Sequence, residues 1–317
     1  MRCSEIVYNF YMENSDNDVL LLPRPGDAVL AIIPPGSGPG YWAGGPSAVV
    51  ADDGVYLAYR LRRPLGAGRG YAVAIAFARD GVNFGAPVAV ITKEEMGTES
   101  LERPELVRLP GGRWRLYLSC ATTGTKHWRV EVTEADSPAE FDVRRREVVL
   151  PGDVTKRAVK DPVIQRHDDG RWHMWATIHP LADPLETDQM TTEYATSPDG
   201  LDWIWQGTAL SGRPGEWDSR GTRVAAVRFD GHSVTAYYDG RASAAENYEE
   251  RTGVAVGTDP VALIATSAPG AGPAASSPYR GGGLRYLDLV DLPGGRTRLY
   301  YEMTQPDGSH ALVTELR

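Results

Sequence analysis

The chain has 317 residues, 42% hydrophobic and 24% charged, an ordinary balance for a protein that buries a sizeable core. Lys and Arg number 33 against 42 Asp and Glu, a net charge of −9, and that acidic excess argues against general nucleic-acid or anionic-membrane binding. Two cysteines, Cys3 and Cys120, are too few for a disulfide framework or a cysteine zinc site and fit a reducing compartment.

The apolar stretch from Asp18 to Pro23 is too short for a signal-peptide core and has no basic flank. No run approaches the ~18 apolar residues of a membrane span. A soluble, cytoplasmic protein is expected. Further along, Ala28 to Ile33 reads as a strand, and Gly36 to Gly40 as a loop. Val55 to Tyr59, Arg113 to Leu118 and Thr297 to Tyr301 alternate with period two, the pattern of half-buried strands. Thr92 to Met96 is the one segment that looks helical. Third strands end in turns at Ala78 to Phe84, Glu134 to Ser137, Ser197 to Trp203 and Gly257 to Asp259. Asp80-Gly81 and Asp199-Gly200 supply the positive φ of a tight hairpin. Pro269 to Pro278 is a long loop.

A longer cycle overlies these strands. Gly45-Pro46-Ser47, Arg103-Pro104-Glu105 and Asp161-Pro162-Val163 open successive units, with 104 − 46 = 58 and 162 − 104 = 58. A further step of 58 reaches Arg220, within Ser219 to Thr222, and a fifth start falls near Arg285-Tyr286. Tyr59, Tyr117 and Trp175 keep the same period, which then stretches to Tyr237 and Tyr300. A repeat of this length, made of about four short strands, predicts a β-propeller blade. The expectation is an all-β, single-domain, five-bladed propeller with blade starts near 45, 103, 161, 219 and 285. The N-terminal strand would close the ring. An irregular β-sandwich is the alternative, and equal steps of 58 speak against it.

Three segments carry a family resemblance: Lys160-Asp161-Pro162-Val163-Ile164, Gly170-Arg171-Trp172-His173-Met174-Trp175, and Ser197-Pro198-Asp199-Gly200-Leu201-Asp202-Trp203. With the blade starts, they make the chain resemble the five-bladed propeller glycosidases: the arabinanase/β-xylosidase, invertase/levansucrase and mannoside phosphorylase groups. The resemblance implies a base or nucleophile in blade one, an orienting Asp in blade three and an acid Glu in blade four. Asp161 matches the blade-three position. Gly45 stands where the blade-one Asp would be, and Ser219 and Arg220 where the blade-four Glu would be.

Glycoside hydrolysis needs two carboxyl groups facing the scissile bond, one protonated and one ionised. Asp161 and Glu102 are the candidate pair, with Asp218, Asp239 and Asp288 in reserve. Arg103, Arg220, Arg223 and Arg285 fall at blade starts, and Arg241 follows the second strand of blade four. Converging arginines suit a clamp on carboxylate or phosphate, which points to an anionic substrate and permits phosphorolysis. Pairing of these arginines with nearby acids is the competing structural reading. Asn247 and Tyr248, in the polar loop after Tyr237, are candidates to hydrogen-bond and stack on a sugar. Trp42 is either a sugar platform or a wedge between blades. His179 follows the second strand of blade three and is a mouth candidate or an exposed loop histidine. Trp114, Trp128, Trp172, Trp175 and Trp203 read as packing residues.

The six histidines show no metal-ligand spacing, and neither a phosphate-binding loop nor a nucleophile elbow is present. Neither metal nor cofactor is expected. The expected partner is a small-molecule or oligosaccharide substrate, with no nucleic acid and no membrane. The expectation is thus a glycosidase-like enzyme. The alternatives are a propeller that binds a glycoside or metabolite without cleaving it, and an enzyme of small-molecule biosynthesis performing elimination, cyclisation or transfer.

Overall fold

The computed structural model describes residues 20–231 and 233–317. Cys3 and the start of the Asp18 to Pro23 stretch lie outside them. Strand β1 (Val29–Ile32) comes first. Four strands follow: β2 (Trp42–Ala51), β3 (Gly54–Arg62), β4 (Gly70–Ala78) and β5 (Ala89–Thr92). Helix α1 (Lys93–Met96) leads into β6 (Leu101–Arg108), β7 (Trp114–Ala121), β8 (Trp128–Ala135) and β9 (Glu147–Leu150). The third group is β10 (Arg157–Arg166), β11 (Trp172–Pro180), β12 (Thr191–Ser197) and β13 (Ile204–Ser211). The fourth is β14 (Gly221–Asp230), β15 (Ser233–Arg241), β16 (Arg251–Gly257) and β17 (Ile264–Ala265). Strands β18 (Leu284–Leu292), β19 (Arg296–Thr304) and β20 (His310–Leu316) complete the described chain.

The second, third and fourth groups are each a four-stranded sheet in sequence order. The remaining strands form one larger sheet, β18-β19-β20-β2-β3-β4-β5, with β1 also on β20. Its halves meet through one parallel pair, Trp42 with His310, while β1 pairs antiparallel to β20. The first strands touch one another in the cyclic order β2, β6, β10, β14, β18 and back to β2. Burial follows position. Every residue of β7 is buried, because it lies inside one sheet and between two others. The fourth strands expose Val90, Val148, Ile204 and Ile264.

The 58-residue aromatic column joins neighbouring sheets. Tyr117 donates its hydroxyl to the Gly200 carbonyl at 2.7 Å, and Tyr300 donates to that of Gly81 at 2.7 Å. Trp175 donates Nε1–H to the Pro260 carbonyl at 3.0 Å. Each acceptor lies in the turn after the third strand of the next sheet. Gly81 and Gly200, at φ 67° and 78°, let those turns close. Helix α1 is a single turn stabilised by a reciprocal capping box between Thr92 and Glu95, and Gly97 ends it at φ 61°.

Each first strand carries a bulge. Register slips between Gly44 and Ser47, Leu101 and Pro104, Lys160 and Val163, Val224 and Ala226, and Arg285 and Asp288. The pairs just after it are Ser47 with Ala58, Pro104 with Leu118, Val163 with Trp175, Ala226 with Tyr237, and Asp288 with Tyr300. Three residues before these, the strands pair Gly44 with Arg60, Leu101 with Cys120, Lys160 with Thr177, Arg223 with Asp239, and Arg285 with Glu302. Arg223, rather than the Ser219-Arg220 pair expected from a constant step, is therefore the counterpart of Lys160. That step is 223 − 160 = 63. The connections 181–190 and 212–220 are longer than their counterparts 122–127 and 151–156, and they absorb the extra residues.

Candidate active site

The N-terminal ends of the first strands gather side chains from all five groups into one buried cluster. Glu102 Oε2 accepts from Arg60 Nη1 at 2.5 Å, and its Oε1 from Arg62 Nη1 at 2.8 Å. Arg60 Nη2 also donates to Glu302 Oε2 at 2.5 Å. Arg285 donates Nε and Nη2 to Glu302 Oε1 at 2.9 and 2.7 Å, and Nη1 to Glu250 Oε2 at 2.6 Å. Arg241 donates Nη1 to Glu250 Oε1. A line of alternating charge results: Arg62, Glu102, Arg60, Glu302, Arg285, Glu250, Arg241. Tyr286 lies beneath three cations, 3.8 Å from the Arg223 guanidinium, 5.3 Å from that of Arg285 and 5.6 Å from that of Arg60.

This network sets the protonation states. Burial alone raises the Glu102 carboxyl, but Arg60 and Arg62 more than reverse it and hold the group below the usual carboxylate range. Glu250, against Arg285 and Arg241, and Glu302, against Arg285 and Arg60, are lowered in the same way. Asp239 goes the other way, because burial outweighs Arg223. Glu102 is therefore ionised, with an arginine on each oxygen. It has no proton to give a leaving group, so of the two roles open to it in the pair only the ionised one is consistent with this arrangement.

Asp161 is held differently. Its Oδ1 accepts from the Arg103 amide at 3.2 Å. Its Oδ2 lies 3.3 Å from Lys160 Nζ, 3.3 Å from the Tyr286 hydroxyl and 3.5 Å from Arg223 Nη1. All four contacts exceed those on Glu102. Asp161 is fully buried, at 0% exposure, and its backbone is left-handed at φ 51°. Gly45 takes the same bulge position at φ 60° without penalty, whereas Asp161 and Tyr286 (φ 55°) store about 1–3 kcal/mol each. Strain of this kind clusters at functional sites.

Arg223, Arg241, Arg285, Trp42 and Tyr248 join the cluster. Trp42 is no open platform: it is buried, stacks on His310 at 4.8 Å, meets the Tyr248 ring at a 48° tilt with centroids 5.0 Å apart, and lies 4.5 Å from the Arg62 guanidinium. Asn247 Oδ1 accepts from Arg241 Nη1 at 2.8 Å, so its visible task is to hold an arginine. Two expected ligands point elsewhere. Arg103 turns away, donating Nη1 to the Ala225 carbonyl at 2.7 Å with Nη2 3.6 Å from Glu105. Arg220 binds the 185–188 loop through Glu186 at 2.9 Å and Asp188 at 2.6 Å. Among the reserve acids, Asp218 is clasped by Arg213 at 2.9 Å and Tyr238 at 2.7 Å, and Asp288 accepts from the Ala48 amide at 2.6 Å.

His179 donates Nδ1–H to the Thr187 carbonyl at 3.0 Å, which leaves a lone pair on Nε2. Nε2 is buried and has no hydrogen-bond partner among the described residues. Burial, then the nearby Lys160, lower its pKa to about 3, so the ring is neutral. Lys160, 12% exposed at its side chain, lies 5.1 Å over the Trp128 ring, so Trp128 helps position a cation as well as pack. Among the described residues no group of three or more His, Cys, Asp or Glu could hold a metal ion. No helix among them is long and apolar enough to cross a membrane.

Sequence reasoning missed Arg60, Arg62, Glu250, Glu302 and His310. One signal was present. Arg60, Thr177, Asp239 and Glu302 occupy matching places in four of the second strands, each two residues past Ala58, Trp175, Tyr237 and Tyr300, the partners in the first pair after the bulge. A polar residue recurring at one strand position marks a polar axis. Gly44 belongs to the same design, since a Cβ there would lie 1.8 Å from Glu302 Oε2. Gly44→Ala is expected to cost about 1–3 kcal/mol, measured by denaturant unfolding, because Glu302 cannot move without leaving its arginines.

No protein-family model matches the sequence, and no curated protein matches it. Its fold does match solved structures. A thermostable family-43 glycoside hydrolase superposes with a TM-score of 0.65 at 15% identity, over 86% of this chain and 88% of that one. The β-1,2-mannobiose phosphorylase from Listeria innocua gives 0.61 at 16%, over 93% and 92%. A protein from work on family-130 mannoside phosphorylases and hydrolases targeting β-1,2 linkages in Candida mannan gives 0.61 at 15%, over 93% and 90%. The likeness is one of fold, and it is to the propeller glycoside hydrolases and phosphorylases.

Proposed function

We propose that the chain is a five-bladed propeller enzyme that acts, in the cytoplasm, on a glycosidic bond in a small anionic glycoside at the channel mouth. The observation that carries this reading is Asp161: a strained, fully buried carboxylate whose side-chain contacts all lie between 3.2 and 3.5 Å. Such contacts leave room for a substrate to replace one of them. Asp161 handles the proton at the glycosidic oxygen. Lys160 faces the anionic part of the substrate and the His179 Nε2 lone pair accepts from a sugar hydroxyl, with Arg223, Arg241 and Arg285 fixing the acids around them. The fold neighbours, a glycoside hydrolase and a mannobiose phosphorylase, support this class of chemistry with water or phosphate as the attacking group. The buried free thiol of Cys120 suits a reducing setting.

The test is turnover of aryl glycosides and disaccharides, uronic acids included, with and without inorganic phosphate. The wild type is expected to cleave at least one, and Asp161→Asn to lose about 100-fold or more while keeping its melting temperature. Equal turnover by the variant refutes the role of Asp161. A second reading rests on Glu102 and Glu302, whose oxygens are all taken up by arginines. With no second free carboxylate, the propeller would bind a glycoside without cleaving it, or carry out elimination, cyclisation or transfer. Calorimetric binding of a sugar acid by a wild type that cleaves nothing selects that reading.

A further inference from the structure

The opposite ends of the same first strands surround a cavity of about 260 Å³, lined by Ser47, Glu105, Gln165 and Asp288 among others. Glu105 reaches it from β6, with its side chain 9% exposed. Glu105 Oε1 accepts from the Ile164 amide at 3.1 Å, and Oε2 accepts no hydrogen bond from the described residues. Asp288 accepts from the Ala48 amide at 2.6 Å and the Leu289 amide at 3.0 Å. Arg103 is the cation closest to both carboxyls, and it stays 3.6 Å from Glu105. Arg108, at the rim, is already paired with Asp52 at 3.3 Å. With both acids ionised, one guanidinium faces two carboxylates, and the site lacks one positive charge.

We propose that this cavity binds a small organic ammonium ion, with Glu105 and Asp288 as its acceptors. A metal ion fits less well. Calcium takes six or more oxygen ligands, and no group of three or more His, Cys, Asp or Glu among the described residues could hold a metal. The volume also favours an organic cation: about 260 Å³ greatly exceeds a single water's ~30 Å³ share of the liquid. An ammonium brings three donors on a compact charge. Gln165 spends Nε2 on the Val227 carbonyl at 2.6 Å, which leaves its own carbonyl oxygen as a further acceptor. Burial raises the Glu105 carboxyl to about 7 despite Arg103, with Asp288 adding to the rise. Below that pH an entering ammonium therefore displaces a proton. The site is separate from the Asp161 cluster and stands whether or not the proposed activity does.

The experiment uses the full chain with n-butylamine and 1,4-diaminobutane as probes. At pH 8 a saturating amine is expected to raise the melting temperature by about 2–4 °C beyond sodium chloride of equal ionic strength. At pH 6, calorimetry in two buffers of different ionisation enthalpy is expected to show about one proton released per amine bound. Glu105→Gln is expected to lose both effects. If that variant does not fold, the proton count in the wild type decides. No shift beyond sodium chloride, no proton release, or an equal or larger shift with calcium or potassium chloride overturns the proposal.

Discussion

Glu302→Gln is expected to lower the unfolding free energy by about 3–5 kcal/mol at neutral pH, the usual cost of breaking a buried ion pair from one side. Glu302 is fully buried and serves three cationic or cation-capable groups: Arg60, Arg285 and His310 Nδ1, the last at 2.8 Å. An amide in its place turns two N–H donors toward guanidinium donors and strands two buried positive charges. Exposed pairs such as Arg108 with Asp52 contribute little, because water screens them. The pH dependence follows from the lowered carboxyl. The stability that Glu302 confers is fully present above its unfolded value near 4.5 and is lost as pH falls toward the folded value. Variant and wild type should therefore converge in acid. Guanidinium titrations at neutral and acid pH measure both, and a neutral-pH loss below about 1 kcal/mol would show that water already solvates the cluster.

The same residue shows what the sequence could and could not disclose. Strand positions, turns and the single helical turn follow from local rules: period-two alternation, Asp-Gly turns and a Thr92–Glu95 cap. The aromatic column at Tyr117, Trp175 and Tyr300 was legible as a period, and its physical basis proved to be a latch between sheets. Constant spacing misled only where loops lengthened, and there it put Arg220 in the place of Arg223. The site was harder to read because its acids sit in sequence contexts that look like core strand, as in Tyr300-Tyr301-Glu302-Met303. What identifies Glu302 as half of an ion pair is Arg60, 242 positions away. Asp161 was legible because its Asp-Pro context and its place in the repeat coincide. Glu102 was found by position, yet its protonation could not be read without Arg60 and Arg62 in place.

Glu105→Gln is expected to do the reverse of Glu302→Gln and stabilise the fold by about 3 kcal/mol at pH 8. Burial lifts the folded Glu105 carboxyl from 4.5 to about 7, and each tenfold change in proton affinity is worth about 1.4 kcal/mol. Between pH 4.5 and 7 the folded state keeps a proton that the unfolded state has released. Wild-type stability due to this group therefore falls as pH rises through that window and levels off above 7. Gln mimics the protonated acid: it keeps an oxygen for the Ile164 amide and carries no charge. The two proteins should match near pH 4 and diverge steadily up to about pH 7. Asp239, also raised by burial, is common to both proteins and cancels in the difference, whereas Asp288 is coupled to Glu105 and titrates with it in the wild type. Unfolding midpoints across this range measure the divergence, and parallel curves would show that folding does not shift the Glu105 carboxyl. If an ammonium ion occupies the cavity, saturating amine at pH 8 should narrow the gap from the wild-type side, because a buried carboxylate with a cation beside it no longer destabilises the fold.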